Sequence, residues 1–341
     1  MRRFNKLYLV GIIFALAVTS LFGASRPVDI SGRWYEEVRD LYYELPIQVR
    51  YFPENPKLTD QVWAYLESID DVFNDYKVGS EIARINRLHS VGTLTLSPML
   101  AEAFGKARQS WQISDGVFDI TCAPIRNLWK QSAKQEMVPS AEQVSAVREQ
   151  CGLNLTVQDG ARLSISKTGL QFDFGGIIKG IIADHVIAML KEGGATSALV
   201  QIGGETAAFG FSQKARPFRI AIQHPEQRDG VWCVIQDPGN GLSASTSGNY
   251  ENPIVIAGQE YYHIMDPRTG YPAKTDIVSV SIAFPETGKN WLTDTLSTTG
   301  VLLGPEKTFE ILKPLGGEAM FLIRENGQIT EVKSSGWGRF E

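Results

Sequence analysis

Residues 173–180 read Asp-Phe-Gly-Gly-Ile-Ile-Lys-Gly. A carboxylate (Asp173), two adjacent glycines and a cation (Lys179) stand where an apolar stretch with strand character, 170–174, gives way to an apolar helical run, 181–190. Glycines at such a junction let main-chain N–H groups approach a ligand, and a helix N-terminus adds partial positive charge. The combination suits phosphate. Lys179 can meet a second phosphate, while Asp173 can take a base, a ribose or a metal. Asp294 and Thr298 form a second pair, four residues apart in an expected helix and therefore on one face, one turn apart. A carboxylate and a hydroxyl so placed are hard oxygen ligands of the kind Mg²⁺ combines with substrate phosphates and water. The same two residues also suit a helix start, with Asp favoured by the dipole and Thr bonded back to the main chain.

Other segments carry weaker signals. His263 abuts a Pro/Gly turn that presents Asp266, Arg268 and Thr269; His89, His185 and His224 lack such neighbours and read as structural. The stretch 243–251 is rich in hydroxyls around Ser247, which fit either a phosphate or a solvated hairpin. Gly203-Gly204-Glu205 repeats the pattern of paired glycines beside an acid, and Val117-Phe118-Asp119 lies in a loop. Asp173-Phe174-Gly175 spells the kinase metal-binding triplet, but no kinase catalytic loop, glycine loop or Walker A sequence accompanies it. No G-x-G-x-x-G opens a helix, which removes a dinucleotide fold of that type.

The chain has 341 residues, 43% of them hydrophobic, with 33 basic against 38 acidic side chains. That balance argues against nucleic acid, which rewards basic faces. Any phosphate must then be held by main chain, metal or a few chosen side chains. Arg2, Arg3 and Lys6 precede an apolar run to about residue 24, the outline of a secretory signal or an uncleaved anchor over residues 1–25. Ser25 stands where a bacterial lipoprotein would need cysteine, so acylation there is not supported. Export to the bacterial periplasm is the expectation, with tethering to the inner membrane left open. Cys122, Cys151 and Cys233 show no metal spacing and read as small buried hydrophobes, with one disulfide left open.

Helical periodicity is expected over 59–76, 80–88, 97–114 and 140–150, with Ser97-Pro98 and Ser140 as starts. Strand patterns begin with 45–52. They dominate beyond residue 153, at 163–166, 170–174, 198–202, 218–223, 242–245, 254–257, 277–283 and 319–324, with helices at 181–191, 293–303 and 305–315 between them. Residues 26–341 are expected to form one α+β unit, with mixed or antiparallel sheets flanked by helices and the site in a cleft between lobes.

In order and chemistry, these segments resemble the ApbE-type flavin transferases, the FAD:protein FMN transferases. The matching pieces are Asp75-Tyr76 with Ser80-Glu81 and Asn86, 116–124 with Leu128-Trp129, 173–180, 202–205, 245–251, 263–270, and Asp294–Thr298 running on to Gly304. The resemblance implies a Mg²⁺-dependent enzyme that splits FAD at the pyrophosphate. FMN passes to a threonine or serine of an acceptor flavoprotein, expected to be a membrane-associated redox subunit, and AMP is released. It implies metal ligands at Asp294, Ser297 and Thr298, with main-chain oxygens from Gly176 and Ile178. It implies FAD contacts at Tyr76, Val117, Phe118, Asp119, Asp173, Lys179, Glu205, Ser247, Asp266 and Thr269, and catalytic roles for His263 and Asp294. Tyr43-Glu-Leu-Pro-Ile departs from the family's usual Met-Gly-Thr strand start, and Ile178 replaces a frequent alanine. FAD hydrolysis to FMN and AMP, or non-catalytic FAD binding by an exported protein, are the alternatives.

Overall fold

The computed structural model describes residues 32–42, 44–88, 90–227, 229–248 and 253–341. The leader, His89, Tyr43 and the Asn249–Glu251 part of the hydroxyl-rich stretch lie outside the described residues. Eight strands form one antiparallel sheet whose spatial order follows the chain: Tyr35–Leu41, Leu45–Phe52, Ser197–Ile202, Glu205–Phe209, Leu242–Gly248, Ile277–Phe284, Glu318–Glu325 and Gln328–Lys333. The central strands Glu205–Phe209 and Ile277–Phe284 are buried at every residue. The expectation of an α+β architecture with antiparallel sheets and flanking helices holds.

Among the described residues seven helices accompany the sheet: α1 (Pro56–Phe73), α2 (Glu81–Leu88), α3 (Pro98–Ile113), α4 (Ala123–Gln135), α5 (Ala141–Arg148), α6 (Ile178–Glu192) and α7 (Asn290–Leu315). Starts follow local chemistry. Asn55 and Ser97 cap α1 and α3 ahead of prolines, and Ser140 with Gln143 forms a capping box on α5. α7 breaks at Gly304 (φ 78°, ψ 175°), so the two expected helices 293–303 and 305–315 meet there as one kinked rod. α6 and α7 lie on the sheet over its central strands and pack against each other.

Three readings change. The stretch 170–174 is no ladder strand. It makes a single parallel bridge, Cys122 to Gln171, and the Asn86 side chain clamps Phe172 at both its N–H (2.7 Å) and its carbonyl (2.9 Å). The glycine pair 203–204 is a two-residue hairpin loop, so Glu205 opens a strand rather than ending one. A Cβ on Gly204 would fall 2.6 Å from the Thr246 carbonyl. And α6 begins at Ile178, which places Lys179 and Gly180 inside its first turn rather than before it. The three cysteines are free and half-buried.

Candidate active site

The centre of the site is the crossing of α6 and α7. A Cβ on Gly180 would lie 2.1 Å from the Asn290 carbonyl oxygen, so only glycine permits this approach. α7 has no side-chain cap of its own. Asp184 of α6 supplies it, accepting from Asn290 N at 2.9 Å and Trp291 N at 3.0 Å. Burial pushes the Asp184 carboxyl up to about 6 against those two hydrogen bonds. In return Asp294 of α7, 1% exposed, accepts from Gly180 N at 3.1 Å in the first turn of α6. That N–H is therefore spent on a carboxylate and not left for phosphate.

The other Asp294 oxygen accepts from Lys179 Nζ at 2.7 Å, and the same ammonium donates to the Gly175 carbonyl at 3.0 Å. Gly175 is thus the carbonyl that joins Asp294 on the Lys179 ammonium, and Ile178 stands at the head of α6. Gly176 lies beside Thr298: a Cβ there would be 3.8 Å from Thr298 Oγ1 and 3.2 Å from the Phe118 ring. Neither Gly175 nor Gly176 has a positive φ, so this pair serves close approach and not a left-handed turn.

Hydroxyls complete the centre. Thr298 Oγ1 donates to the Asp294 carbonyl at 3.0 Å and lies 3.4 Å from Ser247 Oγ. Ser247 also meets Ser297 Oγ at 2.8 Å, and Ser297 meets Ser245 at 3.1 Å. Ser297 is 0% exposed, and its hydroxyl is engaged by both neighbouring serines of this line. Glu205 corrects the expectation of an FAD contact. At 0% exposure it has no surface to offer, and its carboxyl accepts from Ser245 and, at 3.2 Å, from Thr293. Burial first, then the Asp294 charge, push it well above the usual carboxylate range.

One flank is built on Arg126 of α4, a residue the sequence reading passed over. Its guanidinium bridges Asp75 and Asp173, the latter at 2.7 Å. Burial works against its charge, but Asp173 and Asp75 outweigh that and hold its pKa above the usual range. Asp173 also accepts from Gly175 N at 2.8 Å, which fixes the glycine turn. Tyr76 is 62% exposed beside this cluster; its hydroxyl accepts from Lys130 Nζ at 2.6 Å, and the ring faces both Lys130 and Arg126. Val117 and Phe118 are buried. Asp119 turns inward to accept from Thr121 and Leu153 N (3.0 Å), so its carboxylate closes a loop and does not face a ligand.

On the other flank a cavity of about 510 Å³ is lined by Asp266, Thr269 and Lys274 on one side and by Val301–Gly304 of α7 on the other. Those α7 residues begin about one turn beyond Thr298. Asp266 is bound to Arg268 at 2.8 Å, and Trp129 Nε1 anchors the loop by donating to the Gly270 carbonyl at 2.9 Å. His263 is exposed on a bend just before Asp266. His185 pairs with Glu102 at 2.9 Å, and His224 Nδ1 accepts from Glu226 N at 3.1 Å.

A magnesium ion fits this centre. Asp294, Thr298, Ser247 and the Gly175 carbonyl are all hard oxygen donors. The Lys179 ammonium, held between two of them, shows that the place accepts a cation.

The chain compares with known proteins as follows. It is 30% identical over 278 residues to the FAD:protein FMN transferase of Escherichia coli (strain K12), covering 80% of this chain and 78% of the relative. It is 27% identical over 336 residues to the Vibrio cholerae (strain O395) protein of the same name, covering 98% of each. The structure of the Pseudomonas stutzeri flavinyl transferase ApbE, apo form, superposes with a TM-score of 0.75 at 31% identity, covering 88% of this chain and 95% of that one. The ApbE family model matches residues 41–321. With a match of that extent, running from the first hairpin through both crossed helices, the chain belongs to the ApbE family.

Proposed function

We propose that this protein is a Mg²⁺-dependent FAD:protein FMN transferase acting on a threonine or serine of an acceptor flavoprotein outside the cytoplasm. The observation that carries the metal requirement is the charge count. Both cations of the centre are already matched: Lys179 by Asp294 at 2.7 Å, and Arg126 by Asp75 and, at 2.7 Å, Asp173. With those two cations committed to carboxylates, a doubly charged pyrophosphate beside Asp294 calls for further positive charge at the centre. Asp294 and Thr298 would hold a divalent ion, which when bound would neutralise charge on the phosphates.

The side chains then have distinct tasks. Asp294, Thr298 and Ser247 offer oxygens at the centre. Lys179 holds Asp294 in place and can reach a phosphate oxygen from the same position. Tyr76 offers an exposed ring for one end of FAD, and the Asp266/Thr269 cavity takes the other. His263 receives the proton as the acceptor oxygen bonds to the FMN phosphorus; the phosphorus–oxygen bond to AMP breaks, and AMP leaves with its electron pair. The acceptor is a redox subunit at the membrane, and the leader at 1–25 directs export to the bacterial periplasm. No described helix is long and apolar enough to cross a membrane.

The test is to incubate the purified protein with FAD, Mg²⁺ and a flavoprotein acceptor. An FMN mass gain on a hydroxyl residue, with equal AMP, is expected. AMP release without any gain on the acceptor would replace transfer by hydrolysis; FAD retention with neither product would leave a binding protein.

A further inference from the structure

Glu205 is fully buried at the base of the site and touches no open surface. Its carboxyl accepts from Ser245 Oγ, which meets Ser297 Oγ at 3.1 Å; Ser297 meets Ser247 at 2.8 Å, and Ser247 meets Thr298 Oγ1 at 3.4 Å. The line crosses from the Leu242–Gly248 strand to α7 and back, so each hydroxyl is fixed by an element other than its own. Its outer end is Thr298 Oγ1, which donates to the Asp294 carbonyl at 3.0 Å and lies beside Gly176.

We infer that Glu205 is a positioning residue: it anchors a ladder of buried hydroxyls whose far end, Ser247 and Thr298, is thereby aimed at the metal position. The inference rests on the reading of Asp294 and Thr298 as that position. A hydroxyl rotates freely unless a partner fixes it, and a buried one without a partner is costly. Thr298 already donates to the Asp294 carbonyl at 3.0 Å, which turns its lone pairs outward. Ser297 likewise has the Asp294 carbonyl at 3.1 Å. Each serine of the ladder then needs a partner on its inner side, and Glu205 ends that chain of demands.

The acid is suited to ending the line. Its two oxygens accept from hydroxyls of different elements, Ser245 on one side and Thr293 at 3.2 Å on the other, and burial pushes its pKa well above the usual carboxylate range. Asn290 packs against the same carboxyl, and its Oδ1 is buried without a hydrogen-bond partner among the described residues. A glutamine would preserve an acceptor and the shape. A leucine would keep the bulk and leave Ser245 and Thr293 unmatched.

The experiment compares Glu205→Gln, Glu205→Leu, Ser297→Ala and Asp294→Ala with the parent. Mg²⁺ affinity is read by calorimetry on the FAD-loaded protein, and FAD affinity by flavin fluorescence in chelator. Glu205→Leu is expected to weaken Mg²⁺ binding by about 10-fold or more, the scale of losses when the partners of metal ligands are removed. Its metal-free FAD affinity stays within about twofold of the parent, because Glu205 touches no ligand. Glu205→Gln restores Mg²⁺ affinity to within about threefold. A Glu205→Leu protein that melts like the parent and binds Mg²⁺ equally well overturns the inference. If that variant does not fold, Ser297→Ala, which cuts the ladder at its middle with Glu205 intact, decides in the same way. Parent-like Mg²⁺ binding by Asp294→Ala overturns the metal reading itself, and the ladder's role falls with it.

Discussion

Asp184 and Asp294 are exchanged between two crossing helices. Asp184, on α6, caps the start of α7 through Asn290 N and Trp291 N; Asp294, on α7, accepts from Gly180 N in the first turn of α6. Each helix dipole is thus met by a carboxylate from the other, which fixes the crossing and the direction in which Asp294 faces. Its second oxygen is left to Lys179. The metal position proposed above would follow from this exchange and not from a cluster of acids.

Replacing Asp294 by alanine removes both a cation ligand and the Gly180 partner. We expect transfer to be abolished while FAD still binds through contacts elsewhere. Lys179→Met should act in the opposite sense on the metal, lowering the Mg²⁺ concentration needed for half-maximal binding because a fixed cation 2.7 Å from Asp294 is gone. Both effects are read in one Mg²⁺ titration of the FAD-loaded proteins. Unchanged turnover of Asp294→Ala in excess Mg²⁺ would take it out of the metal site.

For His263→Ala the expected rate loss is about 10²-fold, the low end of what a general base contributes. The chemical step is isolated by single-turnover FMN transfer with saturating acceptor. A loss under about threefold would make His263 a residue that positions the acceptor rather than its base.

Much of this site is legible in the chain because its parts are local. Asp294 and Thr298 announce themselves by helical spacing, Asp173–Gly180 by its glycines, and the break at Gly304-Pro305 by composition. What sequence hides is who spends each group. Lys179 looks available to FAD and Asp294 to a metal, yet they are 115 residues apart and bound to each other. Glu205 reads like Asp173, an acid beside paired glycines, but its loop is a hairpin between buried strands and it faces inward. Arg126 went unread because no helix was expected between 114 and 140, although Pro124 in the first turn of α4 favours one. Both edge strands were missed for a related reason: Tyr35–Leu41 and Gln328–Lys333 carry charged residues that mask the apolar alternation.

Asp184 makes a prediction about pH. Its folded pKa of about 6 lies above the unfolded value of 3.8, so the folded protein holds the proton more tightly. The stability it contributes is present below pH 4 and is lost as pH rises through about 6, by about 3 kcal/mol when complete. Asparagine resembles the protonated acid and does not titrate. Asp184→Asn should therefore be close to the parent near pH 4 and gain relative to it by pH 7, in paired denaturant titrations at each pH. A relative loss over that interval would mean that the α7 dipole outweighs burial at this carboxyl.

Gly180 tests whether the crossing itself makes the site. An alanine there would bring its Cβ to 2.1 Å from the Asn290 carbonyl oxygen, and that atom is main chain, so α6 and α7 must separate. Elsewhere in a helix glycine-to-alanine gains about 1 kcal/mol; here the clash should reverse the sign. Separation also pulls the Gly180 N–H away from Asp294, loosening the carboxylate that meets the cation. The variant should melt lower than the parent and require more Mg²⁺, with weaker dependence on metal-free FAD affinity. Thermal unfolding and a Mg²⁺ titration on the same preparation measure both. Equal melting with unchanged Mg²⁺ demand would show that the helices can part without disturbing Asp294, and the exchange with Asp184 would then not be what aims it.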